Sequence, residues 1–166
     1  AAIQLRKKGY AVGLWEKNSY PFHRVCGEYI SKESWDYLQC CGIELPALQL
    51  PEINKLEVSA PGGSVLKAKL GLGGFGISRY WLDYMLYEEA KRLGVDVFEG
   101  CKVDQLLCNE GGFEIFAGNN SVKVKLALGS FGKRSNIDVK WQRDFVTQKP
   151  DSLNNYIGVK YHIKTD

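Results

Sequence analysis

Apolar and polar positions follow two periods along this chain, and the switches between them mark its elements. Residues 1–8 read as the end of a helix. Ala2 and Leu5 share a face, Arg6, Lys7 and Lys8 fill the last turn, and Gly9 stops it. Residues 10–15 then read as a buried strand closed by Glu16 and Lys17. A helix that opens at residue 1 without a cap leads to the expectation that the chain is cut from a longer one. Residues 18–28 form a loop around Pro21 and Gly27. Residues 31–41 have helical spacing, with Ser31 as cap, Trp35, Leu38 and Cys41 on one face, and Gly42 at the end.

Residues 53–60 and 64–70 alternate apolar and polar around Pro61-Gly62-Gly63, which predicts a hairpin. Residues 71–76 read as a glycine-rich linker. The strongest helix is 80–93, where Leu82, Leu86, Ala90 and Leu93 form one stripe. Asp83 falls in its first turn, Lys91 and Arg92 in its last, and Gly94 stops it. A short strand at 95–98 follows. Residues 102–108, 113–116 and 121–128 then predict a meander, 129–136 a small-residue turn, and 156–163 a last alternating stretch.

This order predicts an α/β chain: a partial Rossmann-like layer with an inserted antiparallel hairpin and an antiparallel meander. The expected division is 1–48 and 76–136 for the layer and its meander. Residues 49–75 form an inserted hairpin of a substrate region, and 137–166 begin a further part of that region.

Composition narrows the classes. The chain has 166 residues, 45% hydrophobic and 25% charged, the balance of a chain with a packed core rather than a disordered one. A net charge of +3 with no block of like charge argues against nucleic acid as a partner. No apolar run is long enough to span a bilayer. Five cysteines without CxxC spacing argue against a metal site or a disulfide framework and suit reduced thiols in the cytoplasm. Asn119-Asn120-Ser121 reads as a polar turn.

Four stretches carry chemistry. In a dinucleotide fold, an acid ending the second strand accepts hydrogen bonds from ribose hydroxyls, and Glu16 stands at such a place. The glycine fingerprint would lie about twenty residues earlier, before residue 1. The same residues also suit an ordinary turn with an exposed glutamate. In 21–28, Arg24 suits a phosphate and Gly27 suits close approach of backbone to a flat ring; an ordinary surface loop fits as well. Arg79 opens the long helix, where a cation is unfavourable unless an anion is present or the side chain points into water. Gly129-Ser130-Phe131-Gly132-Lys133-Arg134 either meets a phosphate or ribityl chain or is a basic turn.

Taken in order, these stretches resemble the FAD-dependent oxidoreductases that include geranylgeranyl reductases, p-hydroxybenzoate-hydroxylase-type monooxygenases and flavin halogenases. The geranylgeranyl-reductase branch is the most similar. The resemblance rests on Val12-Gly13-Leu14-Trp15-Glu16-Lys17, on Pro21 with Cys26-Gly27, and on Ser78-Arg79-Tyr80-Trp81-Leu82-Asp83 running on to Ala90 and Gly94-Val95. It covers about the first 136 residues. It implies that Glu16 holds the adenosine ribose with Lys17 beside it. Arg24 and Arg79 would lie toward the phosphates, Cys26 and Gly27 near the flavin ring, the backbone of Val103 at the adenine, and Gly132 near the flavin-side chain.

The family's Ala-Asp-Gly is replaced here by Gly129-Ser130-Phe131-Gly132, without the Asp. The opening glycine fingerprint and the later Gly-Asp segment are not in this sequence. The expected function is therefore part of an FAD-dependent redox enzyme, with these 166 residues inactive alone. NAD(P)H or another donor would reduce the flavin, and the substrate would be an isoprenoid or aromatic small molecule, with peripheral membrane contact compatible with such a parent. No catalytic side chain is named. A nicotinamide-type Rossmann dehydrogenase and a non-enzymatic binding remnant are the alternatives; the hairpin and meander argue against the first, while the missing fingerprint and Asp favour the second.

Overall fold

A computed structural model of the chain describes residues 1–132, 135–147, 159, 161 and 164. The chain divides into two compact units, one built mainly from Ala1–Leu14 and Tyr20–Val97, the other from Trp15–Ser19 and Phe98–Gly158.

In the first unit, helix α1 (Ala2–Lys7) ends where Gly9 takes a φ of +85°, a left-handed conformation that glycine adopts without steric cost. The chain then enters strand β1 (Gly13–Trp15). This strand is shorter than its pattern predicts. Tyr10 is 60% exposed, and its N–H turns back onto the Leu5 carbonyl at 3.2 Å, so it belongs to the helix stop. Strand β5 (Asp96–Phe98) pairs with β1 in parallel, and the Asp96 N–H donates to the Val12 carbonyl at 3.0 Å. Helix α3 (Arg79–Arg92) leads into β5 through Gly94 at φ +84°. Ile3, Cys41, Ala90 and Val95 pack between these elements, with Val12, Leu14 and Val97 against them. This is the α/β layer that the helix and strand patterns predict.

The glycine-rich stretch 71–76 is not a linker. It is the second half of strand β4 (Val65–Gly76), the central strand of an antiparallel sheet ordered β2–β4–β3, with β2 at Tyr29–Ser31 and β3 at Glu52–Ser59. Tyr29 pairs with Gly76, Ile30 with Phe75 and Ser31 with Gly74. Glycine is required at 74 because a Cβ there would meet the Tyr29 ring and lie 2.5 Å from the Ile30 carbonyl oxygen. The predicted hairpin is present: β3 and β4 turn through 60–64, where the Ala60 N–H donates to the Ser64 carbonyl at 2.9 Å.

Ser31 therefore ends a strand and caps nothing. A 3-10 turn over Lys32–Ser34 leads into helix α2 (Trp35–Cys40), which keeps the expected inward face of Leu38 and Cys41. Leu38, Ile43, Leu45, Phe75, Ile77 and Leu82 form the main core of the unit, and Trp35 meets the Phe75 ring edge-on at 5.0 Å.

In the second unit, β6 (Val103–Asn109), β7 (Gly112–Ala117) and β8 (Asn120–Val124) form the predicted meander in that order. β8 stops at Val124, four residues before the expected end, and Leu126 and Leu128 are exposed. Helix α4 (Asn136–Lys140), which no sequence pattern indicated, is capped by Ser135 and followed by α5 (Asp144–Thr147). It lies along β6, an edge strand. Lys140 Nζ donates to the Asp104 carbonyl at 2.9 Å, and Trp141 Nε1 to the Leu106 carbonyl at 3.2 Å. Two carbonyls of β6, an edge strand among the described residues, are thereby satisfied. The alternating stretch 156–163 and the pair Lys133-Arg134 fall on residues that, apart from 159 and 161, are outside those described.

Phe75 is 1% exposed at the centre of the main core. Phe75→Ala is expected to cost about 3–5 kcal/mol and Phe75→Leu less than about 1.5 kcal/mol in urea unfolding. Equal, small losses for both would mean that Phe75 is not at the packing centre.

Candidate functional site

The N-terminus of α3 is built by Ser78, whose hydroxyl accepts from the Trp81 N–H at 3.3 Å. Arg79 is the first helical residue. Its side chain faces the positive end of the helix dipole, an unfavourable place for a cation. Asp83, one turn on, offsets this. Arg79 Nε donates to Asp83 Oδ1 at 2.7 Å and Nη2 to Oδ2 at 2.8 Å, a two-pronged fork. Arg79 thus neither points into water nor waits for an anion alone. Asp83, expected in the first turn, sits in the second because the helix starts at Arg79.

The loop between β1 and β2 converges on the same carboxylate. Arg24 Nε lies 3.3 Å from Asp83 Oδ2, and its guanidinium carbon stands 4.5 Å over the Phe22 ring. His23 packs on Tyr80 at 4.7 Å between ring centroids, and Tyr20 stacks on Tyr87 at 4.8 Å. The loop is therefore laid along α3 by aromatic contacts and one ion pair. Its far end is held where the Ile77 N–H donates to the Glu28 carbonyl at 3.0 Å, with Glu28 in the left-handed region at φ 59°.

Cys26 is half-buried, and its thiol lies near enough to the Arg79 guanidinium to favour its charged form. Arg79 is held above its already high ordinary pKa, first by the Asp83 hydrogen bond, against partial burial, with the Asp83 charge and Cys26 acting in the same direction as the bond. Gly27 opens onto space: a Cβ there would meet no atom within 4 Å. Four predicted residues, Arg24, Cys26, Gly27 and Arg79, thus lie on one loop–helix junction. The sequence reading placed the organising residue, Asp83, only as an acid in the helix's first turn; the signal for its pairing is its position four residues after Arg79. That spacing places both on one helix face.

The remaining predicted residues are in the second unit. Glu16 continues β1: its N–H donates to the Phe98 carbonyl at 3.0 Å, and its own carbonyl accepts from the Cys101 N–H at 2.9 Å. Trp15 stacks on Phe98 beside it at 4.9 Å. Glu16 Oε1 accepts from the Asn18 backbone N–H at 3.0 Å and from Asn18 Nδ2 at 3.3 Å, which sets the direction of the carboxylate. Lys17 is exposed. Val103 pairs with Ala117 next to an irregularity in the β6–β7 register and is partly buried against the meander core. Gly132 takes φ +76° with open space around it.

All five cysteines are free thiols. Among the described residues, no group of three or more His, Cys, Asp and Glu side chains is arranged to hold a metal ion, and no helix is long and apolar enough to cross a membrane.

The chain is similar to solved structures of flavin-dependent halogenases. Against halogenase PltM in complex with phloroglucinol and FAD, it is 17% identical over 85% of its length and 33% of that chain, with a TM-score of 0.68. Against the flavin-dependent halogenase CmlS, it is 19% identical over 74% of its length and 24% of that chain, at 0.62. Against the flavin-dependent brominase Bmp2, it is 16% identical over 74% of its length and 31% of that chain, at 0.58. The chain thus spans a third or less of these proteins. At such identities the likeness shows the fold: a mixed α/β portion of the halogenase fold, parallel strands with antiparallel sheets attached. No protein-family model matches the sequence, and no curated protein is significantly similar to it.

The Arg79–Asp83 fork predicts a local stability. A lysine cannot reproduce a two-pronged contact, so Arg79→Lys should raise hydrogen exchange across the first two turns of α3 by about tenfold, the loss of roughly one charged hydrogen bond. Arg92→Lys, which alters a similar pair with Glu89 at the other end of α3, should leave that segment unchanged. Equal exchange in Arg79→Lys and the unsubstituted protein would mean that the fork does not hold the start of α3.

Proposed function

We propose that this chain is part of the FAD-binding portion of an FAD-dependent oxidoreductase. The observation that carries the reading is the junction at Asp83. Two guanidiniums, from a loop and from a helix N-terminus, gather on one carboxylate beside a glycine that faces open space. Guanidiniums so placed suit the geometry of a pyrophosphate. The halogenase likeness, which includes a protein crystallised with FAD, supports the same cofactor.

In this reading, Glu16 accepts hydrogen bonds from the adenosine ribose hydroxyls, with Asn18 setting the carboxylate's direction and Lys17 beside it. Arg24 and Arg79 neutralise the pyrophosphate. Cys26 and Gly27 border the flavin ring, and Gly27 leaves room for its flat face. The backbone of Val103 meets the adenine, and Gly132 borders the ribityl chain. Bound flavin supplies hydride or electron transfer, and the protein positions it. The order of motifs supports a geranylgeranyl-reductase-like enzyme that reduces a double bond of an isoprenoid. The halogenase likeness supports oxygen activation on an aromatic substrate. Both use one nucleotide frame and a donor such as NAD(P)H.

The test is the full-length gene product. It is expected to retain FAD, visible as flavin absorbance, and Glu16→Ala is expected to weaken FAD affinity about ten- to a hundredfold, the cost of one or two hydrogen bonds to a charged acceptor. A folded, colourless protein that takes up no added FAD would remove the reading. Retention unchanged in Glu16→Ala would remove the ribose assignment.

A further inference from the structure

We propose that Asp83 is a positioning residue: through Nε and Nη2 of Arg79 and Nε of Arg24 it holds the two guanidiniums toward the pyrophosphate of a bound dinucleotide. The inference rests on the nucleotide reading and goes beyond it by assigning a role to a residue that would not touch the ligand.

A guanidinium presents two kinds of edge, one containing Nε and one formed by both Nη groups. Asp83 takes the first kind on Arg79, through Nε and Nη2, and approaches Nε of Arg24. Depth supports the same order. The Asp83 side chain is 13% exposed, while Arg79 and Arg24 are 37% and 39% exposed. The carboxylate lies beneath and the guanidiniums above it, so an incoming anion meets the arginines first. Without the carboxylate, two like charges would share the positive end of a 14-residue helix, and repulsion would send both side chains outward. Asp83 also ties the loop that carries Arg24 and Cys26 to the helix that carries Arg79.

The sign of the effect separates positioning from plain electrostatics. Asp83→Asn makes the junction more positive. If Asp83 acted only through its charge, the substitution would tighten binding of an anion and steepen its salt dependence. If it positions, binding loosens although the charge has become more favourable.

The experiment is calorimetry on the full-length gene product with ADP as the pyrophosphate probe and adenosine as its phosphate-free control. Asp83→Asn is expected to weaken ADP about tenfold and to leave adenosine within about twofold, the size expected for disturbing one charge-assisted contact. Asp83→Glu, which keeps the carboxylate, should recover part of the loss, and it also serves if the Asn variant does not fold. In an Arg79→Gln background, Asp83→Asn should cost less than in the native one, because the two residues act as a unit. ADP binding that is unchanged or tighter in Asp83→Asn overturns the positioning role alone. Equal losses for ADP and adenosine overturn it too, since they mark a merely structural residue. An unsubstituted protein that binds ADP no better than adenosine removes the nucleotide reading and this inference together.

Discussion

One carboxylate organises the loop–helix junction of the first unit. Asp83 accepts a fork from Arg79 on its own helix and an ion pair from Arg24 on a distant loop. Arg79 alone would oppose the helix dipole, and the Arg24–Asp83 ion pair joins the loop to the helix. Together with Asp83 they make a junction that a short loop and a helix end could not form separately. Stacking of Tyr20 on Tyr87 and of His23 on Tyr80 adds apolar area to the same seam. The direction of the loop, and with it the placing of Cys26 and Gly27, follows from these contacts.

Behind the junction lies a core that sets where α3 begins. Phe75 and Ile77 are buried at and just past the end of β4, and Leu82 on α3 packs against them. This needs a long central strand with β2 on one side and β3 on the other, and the glycines of 71–76 allow it. Gly74 lets β2 approach with the Tyr29 ring lying across it, and Tyr29 Oη donates to the Gly73 carbonyl at 3.2 Å. The strand delivers the chain to Ser78, the cap of α3, and so to Arg79.

The sequence made the regular elements legible where side chains set the pattern. The stripe of Leu82, Leu86, Ala90 and Leu93 reported α3, alternation reported the hairpin and the meander, and Gly9 and Gly94 reported helix ends. It misled where glycine carried the information. A run of glycines reads as a linker because it offers no side-chain period, although close backbone approach requires such a run. Ser31 looked like a cap because residues that favour caps also end strands. α4 is too short to show a period, and what holds it is two side chains reaching a sheet edge. At the candidate site, the arginines and Glu16 were legible as charges in meaningful places. Asp83 was legible as an acid near a helix start, but its pairing with Arg24 was not, because it depends on a loop about sixty residues earlier in the chain.

Asp83 engages the Nε groups of Arg79 and Arg24, and the proposed reading gives recognition of the anion to the remaining guanidinium nitrogens. Nitrogen-15 NMR of arginine side chains in the full-length gene product, titrated with ADP, observes this division. The account predicts slowly exchanging Nε–H signals for both arginines that change little on ADP addition, with Nη signals that shift and sharpen. Nε–H signals that exchange like those of free arginine, or that ADP displaces, would contradict it.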